Sequence, residues 1–386
     1  MSAQYRSQLW ADRADAAEEA IVTRHLRTLW WLPGTRLAVV AWPPASGQRA
    51  FRRWDYWWQA HLLDCAVDAA DRAPTPERRT RIMQIARAHR LRNLSGWTNR
   101  YYDDMAWLAL ALERAERTQY LSYPTALGAL GSALTKAWDP RVGAVPWRVG
   151  DNFYNTPANG PAGLVFARLG EWDLATRTGD WIATTLWDSQ SGLIFDGIRL
   201  QWAEPNAAGS APPSAKLERA LYTYCQGVTL GLDTELAVRT GEPRFAKRAC
   251  DLVTAIEDGM TVDGAIDGGG GGDGGLFNGI LARYLALAAL MLPGDTGDVR
   301  AARARAAAIV VASGEAAWTN RLDVNDSPLF GADWRKPAQM PGVESGVAAF
   351  AGGTVTASEV PERDLSVQLG GWMLMEAAHR VTAAGL

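Results

Sequence analysis

Apolar residues recur along this chain at three- and four-residue intervals, and clean alternation of apolar and polar positions, the mark of a half-buried strand, is nearly absent. The pattern predicts helices over 12–32, 51–72, 77–92, 100–116, 118–137, 155–169, 172–187, 217–240, 243–259, 276–292, 297–318 and 364–383. Between them lie Gly, Pro, Asp and Ser, as in Trp42-Pro43-Pro44, Asp139-Pro140 and Ala211-Pro212-Pro213, which mark turns rather than linkers between domains. The expectation is an all-α fold with one domain over 1–386.

Two stretches break the helical period. Residues 200–216 have none, and Gly268-Gly269-Gly270-Gly271-Gly272-Asp273-Gly274-Gly275 is a run no helix tolerates. Both read as loops. The glycine run is not a phosphate cradle, because Leu276-Phe277-Asn278 follows where Lys-Ser/Thr would be needed. It reads as a surface loop, with a loop bordering a ligand groove as the alternative.

A longer regularity organises the helices. Polar and aromatic clusters open alternate ones: Trp54-Asp55-Tyr56-Trp57, Tyr101-Tyr102-Asp103-Asp104, Asn155 with Asn159, Tyr222-Thr223-Tyr224 with Gln226, and Asn278-Gly279 with Arg283. Measured from Asp55, Asp103, Asn155, Tyr222 and Gly279, they lie 48, 52, 67 and 57 residues apart, each step the length of a helix pair with its loops. If alternate helices form an inner and an outer ring, all clusters fall at one rim of the inner ring. That geometry is an (α/α)6 barrel, a toroid of six helical hairpins.

Composition narrows the function. Apolar residues make up 48% and charged residues 21%, enough for a sizeable core. The net charge is −3 and the basic residues are scattered along the sequence, with no stripe of the kind nucleic acid requires. Cys65, Cys225 and Cys250 are odd in number and lack CxxC spacing, which disfavours a disulfide framework or a zinc site and suits a reducing compartment. The polar start of the chain has no signal-peptide core, so a cytoplasmic location is expected, or export with a leader already removed. No apolar run reads as a membrane span. The 18 Trp, beside 10 Tyr and 8 Phe, suit core packing and also the stacking of sugar faces. Trp202 and Trp334, in loops, are candidates for the latter.

The chemistry centres on Asp103 and Asp104 at the start of a helix. Acids there gain from the helix dipole, about 0.3–1 kcal/mol, which alone would explain them. Their aromatic surroundings point further, since two like charges in a partly desolvated site split their pKa values. Glycoside hydrolysis needs such a split: one protonated acid for the leaving oxygen and one carboxylate to attack or to activate water. Consecutive Cα atoms lie about 3.8 Å apart, so neighbouring side chains reach the roughly 5–5.5 Å of retaining enzymes more readily than an inverting gap. Retention of configuration is predicted. No metal or other cofactor is implied, because His is scarce and the pair lacks further ligands.

These residues resemble glycoside hydrolase family 76, endo-α-1,6-mannanases on an (α/α)6 barrel, over about 54–335. Tyr102-Asp103-Asp104-Met105-Ala106-Trp107 is similar to the family's aromatic-Asp-Asp-x-x-Trp segment, and Asn155-Thr156-Pro157-Ala158-Asn159 to its Asn-x-x-x-Asn. Asp196-Gly197, Thr223-Tyr224-Cys225-Gln226-Gly227 and Phe277-Asn278-Gly279-Ile280 with Arg283 follow in the family's order. The resemblance implies Asp103 as nucleophile and Asp104 as general acid/base. It implies substrate-binding positions at Trp54, Asp55, Tyr102, Trp107, Asn155, Asn159, Asp196, Tyr222, Tyr224, Gln226 and Arg283. Tyr224 and Gln226 would contact the sugar beside the pair, while Trp54, Asp55, Asn155, Asn159 and Arg283 would either hold hydroxyls or brace neighbours. The implied partner is an α-mannan, mannooligosaccharide or mannan-bearing glycolipid. Cys225 stands where the family commonly has Asn, and Asn278 where it has Lys, which puts substrate preference and activity in question. The rival readings are a non-catalytic mannan-binding protein and another sugar-active enzyme of this fold, such as an epimerase. Against the last, His25, His61, His89 and His379 form no cluster in the sequence.

Overall fold

The computed structural model describes residues 3–202 and 214–386. Twelve α-helices lie among them: α1 (Ala3–Arg24), α2 (Tyr56–Arg72), α3 (Pro76–Arg92), α4 (Tyr102–Gln119), α5 (Pro124–Ala137), α6 (Thr156–Leu169), α7 (Trp172–Thr185), α8 (Thr223–Thr240), α9 (Pro243–Met260), α10 (Phe277–Met291), α11 (Gly297–Asn320) and α12 (Leu365–Ala383). Where local chemistry sets the ends, it is conventional helix capping. Thr75, Asn155 and Thr296 accept the backbone N–H of Arg78, Ala158 and Val299, and Gly170 and Gly241 close α6 and α8 in the left-handed conformation.

The even-numbered helices are buried along most of their length and each touches the next, α2 to α4, α6, α8, α10 and α12, with α12 closing back on α2. The odd-numbered helices pack outside this ring. The result is the (α/α)6 barrel expected from the cluster spacing. Close inner packing depends on small residues at the contacts. A Cβ on Gly279 of α10 would lie 2.7 Å from the Cα of Gly370 on α12. The segment Gly272–Met291 is long and apolar enough to cross a membrane by length and composition, which the sequence reading did not register; in the fold it ends in an inner-ring helix.

All six inner helices begin at one rim and end at the other, so their dipoles add. At the C-terminal rim, Arg72, Arg117, Arg168, Arg239 and Arg380 occupy the last turns of five of them, and all line a cavity of about 870 Å³. Cations there offset the negative helix ends. The N-terminal rim carries six carboxylates around its cavity, together with Arg52, Arg53, Arg92 and Arg199.

Three expectations change. The first helix ends at Arg24, not 32, because Leu26–Arg27 pair antiparallel with Leu37–Ala38, and Trp30 and Trp31 adopt φ of 45° and 59° that no helix continues. A three-stranded antiparallel sheet of Phe153–Asn155, Gly197–Gln201 and Ser214–Glu218 lies where loops or a helix start were expected. Strands of three to five residues are too short for alternation to register. The Ala211-Pro212-Pro213 turn lies outside the described residues. Third, the glycine run is not a free surface loop: Gly272–Leu276 forms a 3₁₀ turn threaded between the 355–358 segment and the start of α12.

Candidate active site

The N-terminal rim encloses a cavity of about 1010 Å³. Of the positions expected from sequence, Trp54, Asp55, Asp103, Asp104, Trp107, Asn155, Asp196, Tyr222 and Tyr224 line it. Asp103 and Asp104 sit in the first turn of α4, where the helix dipole favours negative charge. Their partners differ. Asp103 Oδ1 accepts the Asp104 backbone N–H at 2.8 Å and Oδ2 accepts Trp147 Nε1–H at 2.9 Å. Asp104 Oδ2 accepts Asn99 Nδ2–H at 2.5 Å.

Burial raises both carboxyl groups. For Asp103 the rise, to about 7, is opposed by the two N–H donors. Asp104 rises well above the carboxylate range, because burial is compounded by the Asp103 charge beside it and only Asn99 opposes. The pair is therefore asymmetric: Asp103 is the member equipped to hold negative charge, and Asp104 the member that keeps its proton. The Trp147 bond is the lever. Replacing Trp147 by Phe removes a charge-assisted bond, so the pH below which kcat/KM falls should move upward by about one unit. A pH–rate profile checks this, and an unmoved acidic limb would show that Trp147 does not tune Asp103.

Four further acids line the cavity: Asp55, Asp196, Glu218 and Asp273. Asp55 is raised to about 6 by burial, against the Arg53 guanidinium whose Nε lies 3.0 Å away. It stands at the N-terminal boundary of α2 with φ 44°, a strained conformation for a residue with a Cβ, and its side chain caps no helix N–H. Asp196 is raised to about 7 by burial and by Glu218. Asp273, from the glycine run, accepts Trp57 and Trp58 Nε1–H on Oδ1 at 2.9 and 3.0 Å and Val355 N–H on Oδ2 at 2.6 Å. In the same cavity, Tyr224 stacks on Phe277 at 3.9 Å, with Tyr222 edge-on to Phe277 at 5.3 Å. Trp107 lines both this cavity and the one at the other rim, its ring 4.6 Å from His61.

Four expected binding positions do not line the cavity. Asn159 is fully buried; its amide accepts Val145 N–H and donates to Val145 O and Asn155 O, each at 2.8 Å. Gln226 is likewise buried, accepting Ile194 N–H and donating to Ile194 O and Tyr222 O. Gln59 on α2 and Gln368 on α12 make the same double contact, with Ala38 and Phe330. These amides latch rim loops to inner helices, which is bracing rather than sugar contact. Arg283 points toward the other rim and pairs with Asp64 and Asp68, since two turns into α10 the chain has left the mouth. Tyr102 packs against the core, its N–H donating to Trp147 O at 2.9 Å. Trp334 is core as well, at 3% exposure, and Trp202 lies against Arg141.

Of the two departures, Cys225 is buried, and Asn278 accepts Thr223 Oγ1–H at 2.7 Å and donates to Gly268 O; neither lines the cavity. Sequence reasoning missed Asp273 and Trp147. A lone acid inside a glycine run was the available signal for the first. For Trp147, in a loop, there was none.

Comparison with known proteins bears on the family and the fold. A family model described as glycosyl hydrolase family 76 matches residues 15–368. The structure of the GH76A α-1,6-mannanase from Salegentibacter sp. HEL1_6 superposes with a TM-score of 0.76 at 25% identity, covering 96% of this chain and 98% of that one. An inactive variant of that enzyme with two adjacent aspartates replaced by asparagine, in complex with α-1,6-mannotriose, superposes at 0.77, with 25% identity and coverage of 96% and 99%. The family 76 mannosidase Bt3792 from Bacteroides thetaiotaomicron shares the fold at 15% identity, with a TM-score of 0.69 and coverage of 97% and 99%. No curated protein matches the chain. With a helical barrel, an acidic cavity at the rim where its inner helices begin, and a family match over most of its length, this chain belongs to glycosyl hydrolase family 76 and is a glycoside hydrolase.

Proposed function

We propose that the chain hydrolyses α-1,6-mannosidic bonds with retention of configuration, Asp103 acting as nucleophile and Asp104 as general acid/base. The observation that carries this is the unequal bonding of the two neighbouring carboxyls. Asp104 gives its proton to the glycosidic oxygen as the C1–O bond breaks, and Asp103 bonds to C1 on the opposite face. In the second half Asp104, now ionised, takes a proton from water that attacks C1 and frees Asp103. Adjacent residues leave little room for a water between nucleophile and sugar, which favours retention. The mannan assignment is supported by the α-1,6-mannanase that superposes on the chain and by its complex with α-1,6-mannotriose. The cavity's aromatic wall of Tyr222, Tyr224 and Phe277 suits sugar faces.

The test is proton NMR during hydrolysis of α-1,6-mannotetraose. The α-anomer should appear first and mutarotate later. First appearance of the β-anomer would replace retention by inversion. Binding of the oligosaccharide with no shorter product, or faster cleavage of α-1,2- or α-1,3-linked isomers, would overturn the substrate reading.

A further inference from the structure

The arginines are not evenly scattered along the chain as expected: two acid-free stretches concentrate them, and folding brings the two together. Ala20–Trp54 contains six arginines and no Asp or Glu, and Arg78–Tyr102 contains seven arginines and no acid. The two segments pack together beside the active-site mouth. Arg36 N–H donates to Gln84 O at 3.2 Å, Trp30 Nε1–H to Ala50 O at 2.9 Å, and Arg92 Nε–H to Phe51 O at 2.7 Å. The Arg92 guanidinium lies 5.8 Å from the Trp30 ring and 5.3 Å from that of Trp54, which lines the cavity. Arg53, Arg78 and Arg81 have carboxylate partners. Among the described residues Arg27, Arg36, Arg49, Arg52, Arg87 and Arg92 have none. Arg49 and Arg36 are close enough to Arg27 to oppose its charge.

At the tip of this basic face the chain displays apolar groups that a soluble surface normally hides. Trp31 is 90% exposed and Leu32 40%, and Trp30 and Trp31 are both held at positive φ, a cost with no core contact to offset it at Trp31. Indole rings beside unpaired arginines are the combination that sits at the headgroup level of an anionic bilayer, the ring among the lipid carbonyls and the guanidinium groups on the phosphates.

We propose that this basic aromatic face docks on an anionic phospholipid bilayer and presents the cavity mouth to α-1,6-mannan chains carried at that surface. The docking stands on the residues above, whereas the identity of the chain presented rests on the mannan reading. Arg52 and Arg92 line the cavity at its edge, while Arg27, Arg36, Arg49 and Arg87 lie outside it; four dispersed cations fit an extended charged surface better than one phosphate group, and Trp31 gives it an apolar anchor.

Cosedimentation with vesicles tests it, using phosphatidylcholine alone and phosphatidylcholine mixed with phosphatidylglycerol. The protein should partition onto the mixed vesicles only, and less as salt is raised. Arg36→Glu with Arg49→Glu should weaken partitioning more than about 100-fold and Trp31→Ala about 10-fold. Both variants should cleave soluble α-1,6-mannotetraose at the parent rate, which also reports that they are folded. Failure of the parent to bind mixed vesicles, or parent-like binding by both variants, overturns the docking. Retention on a soluble phosphorylated polysaccharide without vesicle binding would assign the face to glycan instead. Vesicle binding without cleavage of mannotetraose would leave the docking intact and refute the mannan reading alone.

Discussion

Replacing Asp103 by Asn is expected to lower kcat on α-1,6-mannotetraose at least about 10⁴-fold, because the covalent step loses its nucleophile. Asp104→Asn should cost about 10²–10⁴-fold, the usual range for a general acid/base. The two losses differ in kind. On an aryl α-mannoside with a strongly acidic phenol as leaving group, bond breaking needs no proton, so Asp104→Asn should recover its first step and accumulate a glycosyl-enzyme. Azide, which needs no base, should then release it as a mannosyl azide of retained configuration. Asp103→Asn should not recover on the activated substrate alone, and any mannosyl azide it yields should have inverted configuration, because azide then attacks C1 directly. A retained azide product from Asp103→Asn instead would reverse the assignment, and full activity in both variants would remove the pair from the chemistry.

The same carboxyls affect stability. An unfolded aspartate titrates near 3.9, whereas Asp103 in the fold titrates at about 7 and Asp104 is raised further. Between about pH 4 and 7 the native chain therefore holds protons the unfolded chain has released, so these groups lower stability as pH rises through that window. Asp104→Asn removes one source of the penalty. Its melting temperature should exceed the parent's at pH 8 by more than at pH 4.

Gly272→Ala is expected to destabilise the fold by about 2–5 kcal/mol through backbone strain and overpacking together. Gly272 has φ +58°, and an added Cβ would lie 2.1 Å from Val355 O and 2.6 Å from the Thr356 carbonyl carbon. These are backbone atoms with nowhere to retreat, since Gly272 N–H also donates to Asp364 Oδ2 at 2.7 Å. Any relief must shift Asp273, the next residue, and with it the bonds to Trp57, Trp58 and Val355. Activity should fall along with the urea midpoint. Gly274→Ala is the control: its Cβ would meet nothing within 4 Å and its φ is not positive, so little change is expected. Equal tolerance at both positions would show that the run is only a flexible spacer.

The twelve helices were legible in the sequence because an inner helix buried along its length and an outer helix buried on one stripe both repeat every three or four residues. The spacing of polar clusters at alternate helix starts was enough to anticipate the barrel, and aspartates side by side at a helix start were enough to mark the chemistry. What the sequence could not separate was a side chain facing the cavity from one facing the backbone. Asn159, one helical turn past Asn155, and Gln226, two residues past Tyr224 on another side of α8, latch loops instead, and Arg283 belongs to the far rim. Long-range partners were equally hidden. Trp147 reaches Asp103 across 44 residues, Asp273 reaches Trp57 across 216, and the arginines beside Trp30 gather from two segments. Periodicity is written into neighbouring residues by local geometry, whereas these contacts exist only after the ring of helices closes and brings distant loops to a common rim.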